Sequence, residues 1–416
     1  MKINKHILFM KGYFPPESAS SNQMSLDLIE KLGNRGMTVT VLCPVPTRGV
    51  TKEQRSYYSK HRNEKLFENV LVKRFWLPVE KKQVFLRAIR YLMQNLYQIS
   101  YALSHKYDIL FLYSTPPTNG LVGGLLQKIK RVPFIYYLHD IFPDSLVQTG
   151  IAKENSRIWK VGRIIEYFSY SNSTYIITLS ENMKKNLLNK GVKNEKIQIV
   201  PTWVNTDKVK HIEREHNVLI QEYNLDSGKF IVTYAGNIGE AQSVETLIGA
   251  ASKLQDKEDI LFVIVGDGIE KENCKEKAKN LNNVIFIPMQ PPERISDVYS
   301  LGDISTVLTK KGVGMTALPS KTASIFAAET MILAAFDKGS DLERMIVAND
   351  LGFCVEPENE EALVKAILQA FDNRDKIRDR ARKGKEYLLN NMAADVCTDK
   401  IFNIITQAIS DDRDDC

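Results

Sequence analysis

The stretch Phe230–Ala250, FIVTYAGNIGEAQSVETLIGA, leaves little freedom to the chain around it. FIVTY is β-branched and aromatic and carries no charge, the composition of a strand covered on both faces. Ala235, Gly236, Asn237 and Gly239 then permit a sharp turn. Beyond it Val244, Leu247, Ile248 and Ala251 recur at helical spacing, so a helix is predicted next. Such a turn offers backbone N–H groups to an anion, a diphosphate for example, at a helix N-terminus. An ordinary connection in an α/β domain accounts for the same letters, so the turn marks a site only in company with other features.

That company is a chain of repeated strand–helix units. HILFM (6–10), the loop GYFPPESASSNQ, a helix through Met24, Leu28, Ile29 and Leu32, and TVTVLCP (38–44) make a βαβ unit, the sign of a parallel sheet. Ser18, Ser20, Ser21 and Asn22 fall in the loop after the first strand, where open α/β sheets bind ligands; a helix N-cap fits them equally. PFIYYLHDIFPDS (133–145) reads as a strand that runs straight into polar residues and brings His139, Asp140 and Asp144 to its exit. A structural histidine and a capping aspartate are the alternative there. Ser180 is placed to cap a helix carrying Met183, Leu187 and Leu188. The second half repeats the alternation through DILFVIVGDGIEKE (259–272), NVIFIP, ISTVLTK and a helix leading into MILAAFD, with a second flexible turn at Gly266, Asp267 and Gly268.

A length of 416 residues suits two domains with separate cores. The expected division is 1–205, 206–390 and a final segment, 391–416, whose helix returns to the first domain; Asn205 to Asn217 reads as the hinge. The net charge of +6 is modest, but its distribution is not. From Arg48 to Arg90 twelve basic residues stand against four acidic ones, and VFLRAIRYLMQNLYQISYAL (84–103) follows, with Arg87 and Arg90 among apolar residues and Tyr91, Tyr97 and Tyr101. This suits an anionic membrane surface; a helix packed on the domain with a solvated basic edge gives the same pattern, and no motif points to nucleic acid. Cys43, Cys274, Cys354, Cys397 and Cys416 are scattered without C-x-x-C spacing, which argues against a zinc site or a disulfide framework and fits a reducing cytosol. The run Ile7–Met10 is too short for a signal-peptide core, and no stretch approaches the ~20 apolar residues of a spanning helix.

AGNIG, VGDG and PSK, in that order, resemble the retaining glycosyltransferases of family 4, and the resemblance covers nearly the whole chain. YFPPE, RGMTVTVL, HDIFPDSLVQTG, IITLSENM, IVPTWVN, AGNIGEAQSVETLI and PSKTASIFAA look like the bacterial surface-polysaccharide branch that includes N-acetyl-L-fucosamine transferases. The resemblance implies the α/β GT-B fold, two Rossmann-like doubly wound domains facing across a cleft. It further implies retention, no metal and no cofactor beyond a UDP-sugar donor held by the second domain. By the same resemblance Gly236, Asn237, Gly239 and Gln242 face the diphosphate, and Gly266, Asp267 and Gly268 line the nucleotide. Pro319, Ser320 and Ser324 belong to the donor site and Lys321 supplies a catalytic cation, while His139 and Asp140 serve catalysis on the acceptor side, with Ser18, Ser20, Ser21 and Asp144 binding the acceptor. The implied acceptor is a lipid-linked sugar, used by a cytoplasmic enzyme peripherally bound to the inner face of the plasma membrane.

Departures from the family pattern are specific. Many members carry Arg and Lys where Asn237 and Gln242 stand, a pair of Glu at the positions of Thr316 and Ser324, and Gly and Pro at those of Glu329 and Met331. They favour a non-catalytic GT-B subunit partnering another transferase; a GT-B sugar-nucleotide epimerase is a separate alternative, which would need acidic and histidine residues around the donor carbon.

Overall fold

The computed structural model describes residues 4–17, 21–80, 83–148, 152–316 and 318–414. Two compact units result: Met1–Val200 with Cys397–Cys416, and Pro201–Val396.

The first unit is built on β1 (His6–Met10), β2 (Thr38–Pro44), β3 (Asn63–Phe67), β4 (Val70–Phe75), β5 (Ile109–Tyr113), β6 (Phe134–Tyr137), β7 (Tyr175–Thr178) and β8 (Ile197–Ile199). They lie in the order β3-β4-β2-β1-β5-β6-β7-β8, parallel throughout except for the antiparallel pair β3 and β4. Uncharged apolar runs make the central strands: every residue of β5 is buried, and Phe9 of β1 stacks on Phe111 of β5 at 5.1 Å. From β1 the chain steps one way to β2, and from β5 it steps the other way to β6, so the strand order reverses between β1 and β5. Loops leaving the carboxyl ends of these two strands splay apart there and open a crevice.

The second unit holds β9 (Phe230–Asn237), β10 (Ile260–Asp267), β11 (Val284–Ile287), β12 (Ile304–Leu308), β13 (Met331–Ala335) and β14 (Gly352–Val355), all parallel, in the order β11-β10-β9-β12-β13-β14. FIVTY is covered on both faces as its composition requires: Phe230, Val232 and Tyr234 enter one apolar cluster, Ile231 and Ala235 the other. The order reverses between β9 and β12, so the turn after β9 sits at the second crevice.

Three expectations need correction. Residues 205–217 are not a free hinge: Val209 is buried in the second core, Arg214 pairs with Asp303 at 2.7 Å, and the Lys210 N–H donates to Ser296. The strand expected through KIQIVPTWVN stops at Ile199; Trp203 is buried, and Val204 already trades backbone hydrogen bonds with Met392 and Ala394 of the second unit. The basic stretch is also less basic outside than its letters suggest. Arg55 donates to the Pro46 and Leu77 carbonyls, Arg74 to the Pro15 carbonyl, and Arg90 to the Pro78 carbonyl, the last two with side chains turned inward. Buried guanidiniums are held here by carbonyl oxygens, which removes them from any electrostatic surface.

Candidate functional site

At the first crevice the chain leaves β1 through Lys11, a buried lysine at the end of an apolar strand. Its ammonium donates to the Ser21 carbonyl at 3.0 Å, to Asn22 Oδ1 at 3.1 Å and to Ser25 Oγ, and it lies 4.6 Å from the centre of the Tyr113 ring. Burial lowers it to about 7, against the pull of Cys43 and Glu17. Glu17 accepts from the N–H groups of Phe14, Thr47 and Arg48, so one buried cation and one buried carboxylate staple the two ends of this loop. Of the serines expected to bind the acceptor, Ser18 and Ser20 lie outside the described residues. Ser21 uses its carbonyl rather than its hydroxyl: it makes no side-chain cap on the helix Asn22–Asn34.

His139 follows β6 and reaches the same crevice. Its N–H donates to Ser114 Oγ at 3.1 Å, its ring stacks on Tyr113 at 5.1 Å and tilts against Tyr137 at 4.5 Å. Burial, with Lys11 adding repulsion, lowers the imidazole to about 3, so it is neutral at any working pH. Its Nε2 is buried and has no hydrogen-bond partner among the described residues. An orphaned polar atom at a strand exit is a place for a ligand hydroxyl. Asp140 beside it is exposed, with a carboxyl raised by desolvation. Asp144 is not part of this group: its carboxylate accepts from Asn186 at 3.0 Å and from Lys190 at 2.8 Å, and Lys190 also holds the buried Glu166. It ties two helices together, which the residue type alone did not distinguish from a ligand contact. Lys11, Tyr113 and Ser114 were missed; a lone lysine closing the run HILFM was the available signal.

At the second crevice glycines are required by close approach. A Cβ on Gly266 would lie 2.0 Å from the Gly236 carbonyl oxygen, and one on Gly268 would lie 2.2 Å from that of Ile238. Gly236 has φ +131°, and Lys321 Nζ stands 3.0 Å from where its Cβ would be. That lysine opens the short helix Lys321–Ala327 behind Pro319 and the exposed Ser320, and its ammonium sits 4.3 Å from the centre of the Tyr234 ring. Among the described residues no carboxylate pairs with it, and burial alone lowers it to about 8. The buried Ser324 follows in the same helix; the side chain of Thr316 lies outside what is described.

The turn itself differs from expectation in one respect. A 3-10 turn, Glu240–Gln242, separates the glycines from the helix Val244–Lys253, so the N–H groups nearest Gly239 belong to that turn. Ser243, in a left-handed conformation, leaves the helix without a side-chain cap. Asn237 and Gln242 hydrogen-bond each other at 3.0 Å, a neutral pair where many relatives carry cations. Asp267 accepts from the Gly268 N–H and approaches Lys271 at 3.7 Å. Lys310, not anticipated, braces the turn: its N–H donates to the Ala241 carbonyl and its ammonium faces Glu240 at 3.7 Å. Glu329, where the resemblance implies glycine, takes φ +53°, and Met331 is fully buried in β13, so both departures are absorbed by the backbone and the core. Among the described residues no group of three His, Cys, Asp or Glu is placed to hold a metal ion.

Two families match consecutive parts of the chain: Glycosyltransferase Family 4 over residues 22–208 and Glycosyl transferases group 1 over residues 216–387. WcaI of Escherichia coli (strain K12), provisionally named a colanic acid biosynthesis glycosyl transferase, is 29% identical over 59% of this chain and 62% of its own length. WbjE of Pseudomonas aeruginosa, named a probable glycosyltransferase, is 24% identical over 62% of this chain and 65% of its own. The chain thus spans a little under two thirds of either relative. Anabaena Alr3699/HepE, solved with UDP and glucose, shares the fold with a TM-score of 0.72 and 15% identity, covering 97% of this chain and 100% of that one. The two parallel-sheet units are those of the GT-B fold, and the chain joins a segment that matches Glycosyltransferase Family 4 to one that matches Glycosyl transferases group 1.

Proposed function

We propose that this protein transfers a sugar, with retention and without a metal, from a UDP-sugar to a polyprenyl-diphosphate-linked acceptor. The setting is assembly of a surface polysaccharide, capsule or O-antigen, at the inner face of the plasma membrane, and the sugar is an N-acetylated deoxyhexosamine such as N-acetyl-L-fucosamine. The observation that carries the reading is Lys321: a desolvated ammonium with no carboxylate partner among the described residues, held against the glycine turn at the carboxyl end of β9. As the glycosidic bond breaks, negative charge gathers on the departing diphosphate, and a fixed cation in a dry site stabilises that charge without reorganising. Gly236, Gly266 and Gly268 let the two turns pack against each other and against Lys321, which fixes the backbone that would face the diphosphate, and Asn237 and Gln242 offer amides in place of the cations common in the family. On the first unit the orphaned Nε2 of neutral His139 is suited to a sugar hydroxyl, with Asp140 next to it. HepE, solved with UDP and glucose, and WcaI, named for colanic acid biosynthesis, support the donor class and the setting.

The neutral Asn237–Gln242 pair and Ser324 favour a second reading, a GT-B subunit that binds without turnover. Incubating the purified protein with a panel of UDP-sugars and measuring released UDP separates the two. Release with at least one sugar, unchanged by a chelator, is expected. No release with any donor, together with donor binding, would favour the non-catalytic subunit, and activity that a chelator abolishes and magnesium restores would refute the metal-free step.

A further inference from the structure

Two helices on the first unit bury polar side chains and send apolar ones outward, and a third between them adds to the same outer face. The helix Arg157–Asn172 buries Gly162, Glu166 and Ser169 and sends Ile158, Val161, Ile164 and Tyr167 outward, exposed by 60%, 56%, 69% and 73%. The helix Val84–Ser104 does the same: Arg90, Gln94, Asn95 and Gln98 face inward, while Phe85, Leu92 and Leu96 are more than half exposed. Between them lies the helix Asn119–Lys130, which buries Val122 and Leu126 in the ordinary way but also shows Leu125 and Ile129 to the outside. The three are neighbours. Gly120 and Gly124 let the middle helix come within Cβ-contact distance of Ser169 and Phe168, and on its other side Lys130 donates to the Ala102 carbonyl. One continuous outer face therefore presents apolar side chains where a water-facing surface would be polar, far beyond the scattered exposed leucines of ordinary proteins.

Charge decides what covers it. The only acidic residue in the three helices is Glu166, and it is buried between Arg163 and Lys190. Lys128, Arg157 and Lys160 stand exposed around the apolar residues. A symmetric second copy would set these cations against their own kind. Lipid phosphates above an acyl layer match both features at once. We propose that the outer face formed by these three helices is the surface by which the protein lies on an anionic lipid bilayer, with Ile164, Tyr167, Leu92 and Leu96 entering the acyl boundary. This extends the membrane part of the function proposed above and rests on it for purpose only. It also moves the contact away from the basic stretch 48–82, whose Arg55 and Arg74 are engaged with carbonyls. Binding is then driven by apolar insertion, with charge as the lesser contribution. No helix among the described residues is long and apolar enough to cross a membrane.

The test is co-sedimentation of the full chain with phosphatidylcholine vesicles, with and without phosphatidylglycerol, at low and high salt. Wild type is expected to bind the anionic vesicles and to keep much of that binding in high salt. Ile164→Ser with Tyr167→Ser, and separately Leu92→Ser with Leu96→Ser, should each lower partitioning about tenfold or more, as loss of two buried apolar side chains implies. A tryptophan placed by Ile164→Trp should be quenched by brominated acyl chains. UDP release, read in the same preparations without vesicles, should be unchanged by the double substitutions, so failure here is distinct from failure of the transferase reading. Partitioning unaffected by both pairs would overturn the proposal, as would complete release by salt, no vesicle binding by wild type, or a lipid-free dimer that the substitutions dissolve.

Discussion

Lys321 is a destabilising residue in the folded protein. Its ammonium is lowered to about 8 from an unfolded value near 10.5, so between those values the unfolded chain binds more protons and stability rises with pH. Lys321→Met should therefore raise the unfolding free energy at pH 7, by about 1 kcal/mol or more, with a gain that shrinks toward pH 10. The same substitution should lower UDP release on the order of a hundredfold, and for wild type kcat/KM should fall as pH rises through 8 and the cation is lost. Equal activity of the variant at saturating donor would exclude the assigned role. His139 follows the same sign at the acid end of the pH scale. Held near 3 against an unfolded value near 6.5, it stays neutral while the unfolded chain protonates, so stability is lost as pH falls through that window, by up to about 2 kcal/mol at pH 5. His139→Gln should flatten this part of a urea-denaturation profile between pH 7 and 5. The sequence placed His139 at a strand exit because it follows an uncharged run, whereas Lys321 was singled out only by the resemblance of PSK to the family motif. It could not distinguish Asp144, an ion-pairing residue, from a ligand contact, since a carboxylate near a strand exit serves either purpose until Lys190 is seen beside it.

Among the elements, the strand–turn–helix at 230–250 was legible because three signals agree: an uncharged β-branched run, clustered glycines and a change of period from 2 to 3.6. The intervening 3-10 turn was not, since nothing in GEAQS distinguishes one helical hydrogen bond from the next. Gly266→Ala is the sharpest test of the turn. Its new Cβ would fall 2.0 Å from the Gly236 oxygen, so β9 and β10 must part at their carboxyl ends. A loss of about 1–3 kcal/mol in urea denaturation is expected, together with loss of UDP binding in calorimetry. Gly312→Ala, with nothing within 4 Å of its Cβ but φ +85°, should show only the smaller backbone penalty. The helix Val84–Ser104 was recognisable as amphipathic, but which face points inward was not. Periodicity gives a stripe, and only neighbours such as the Pro78 carbonyl on Arg90 reveal that the polar stripe is the buried one.

At the scale of the molecule, repeated strand–helix alternation made two parallel-sheet units readable, while their border was displaced because a polar run such as 205–217 can pack through its backbone and a single valine. The last helix, Ala394–Asp414, deserves a different accounting. From Cys397 onward it belongs to the first unit, where Asp399 pairs with Arg35 at 2.5 Å, Phe402 lies under the same guanidinium, and Asp411 accepts from the Tyr175 hydroxyl at 2.7 Å. Deleting 397–416 should lower the first unfolding transition in calorimetry and leave a transition of the second unit intact. Synthesis runs from the amino end, so the first unit is nearly all made long before its closing helix exists, while the second can complete itself in between. The unit begun before the second is completed only after it, and until then the ribosome carries it without the buried side chains of Ile401, Ile405 and Ala408.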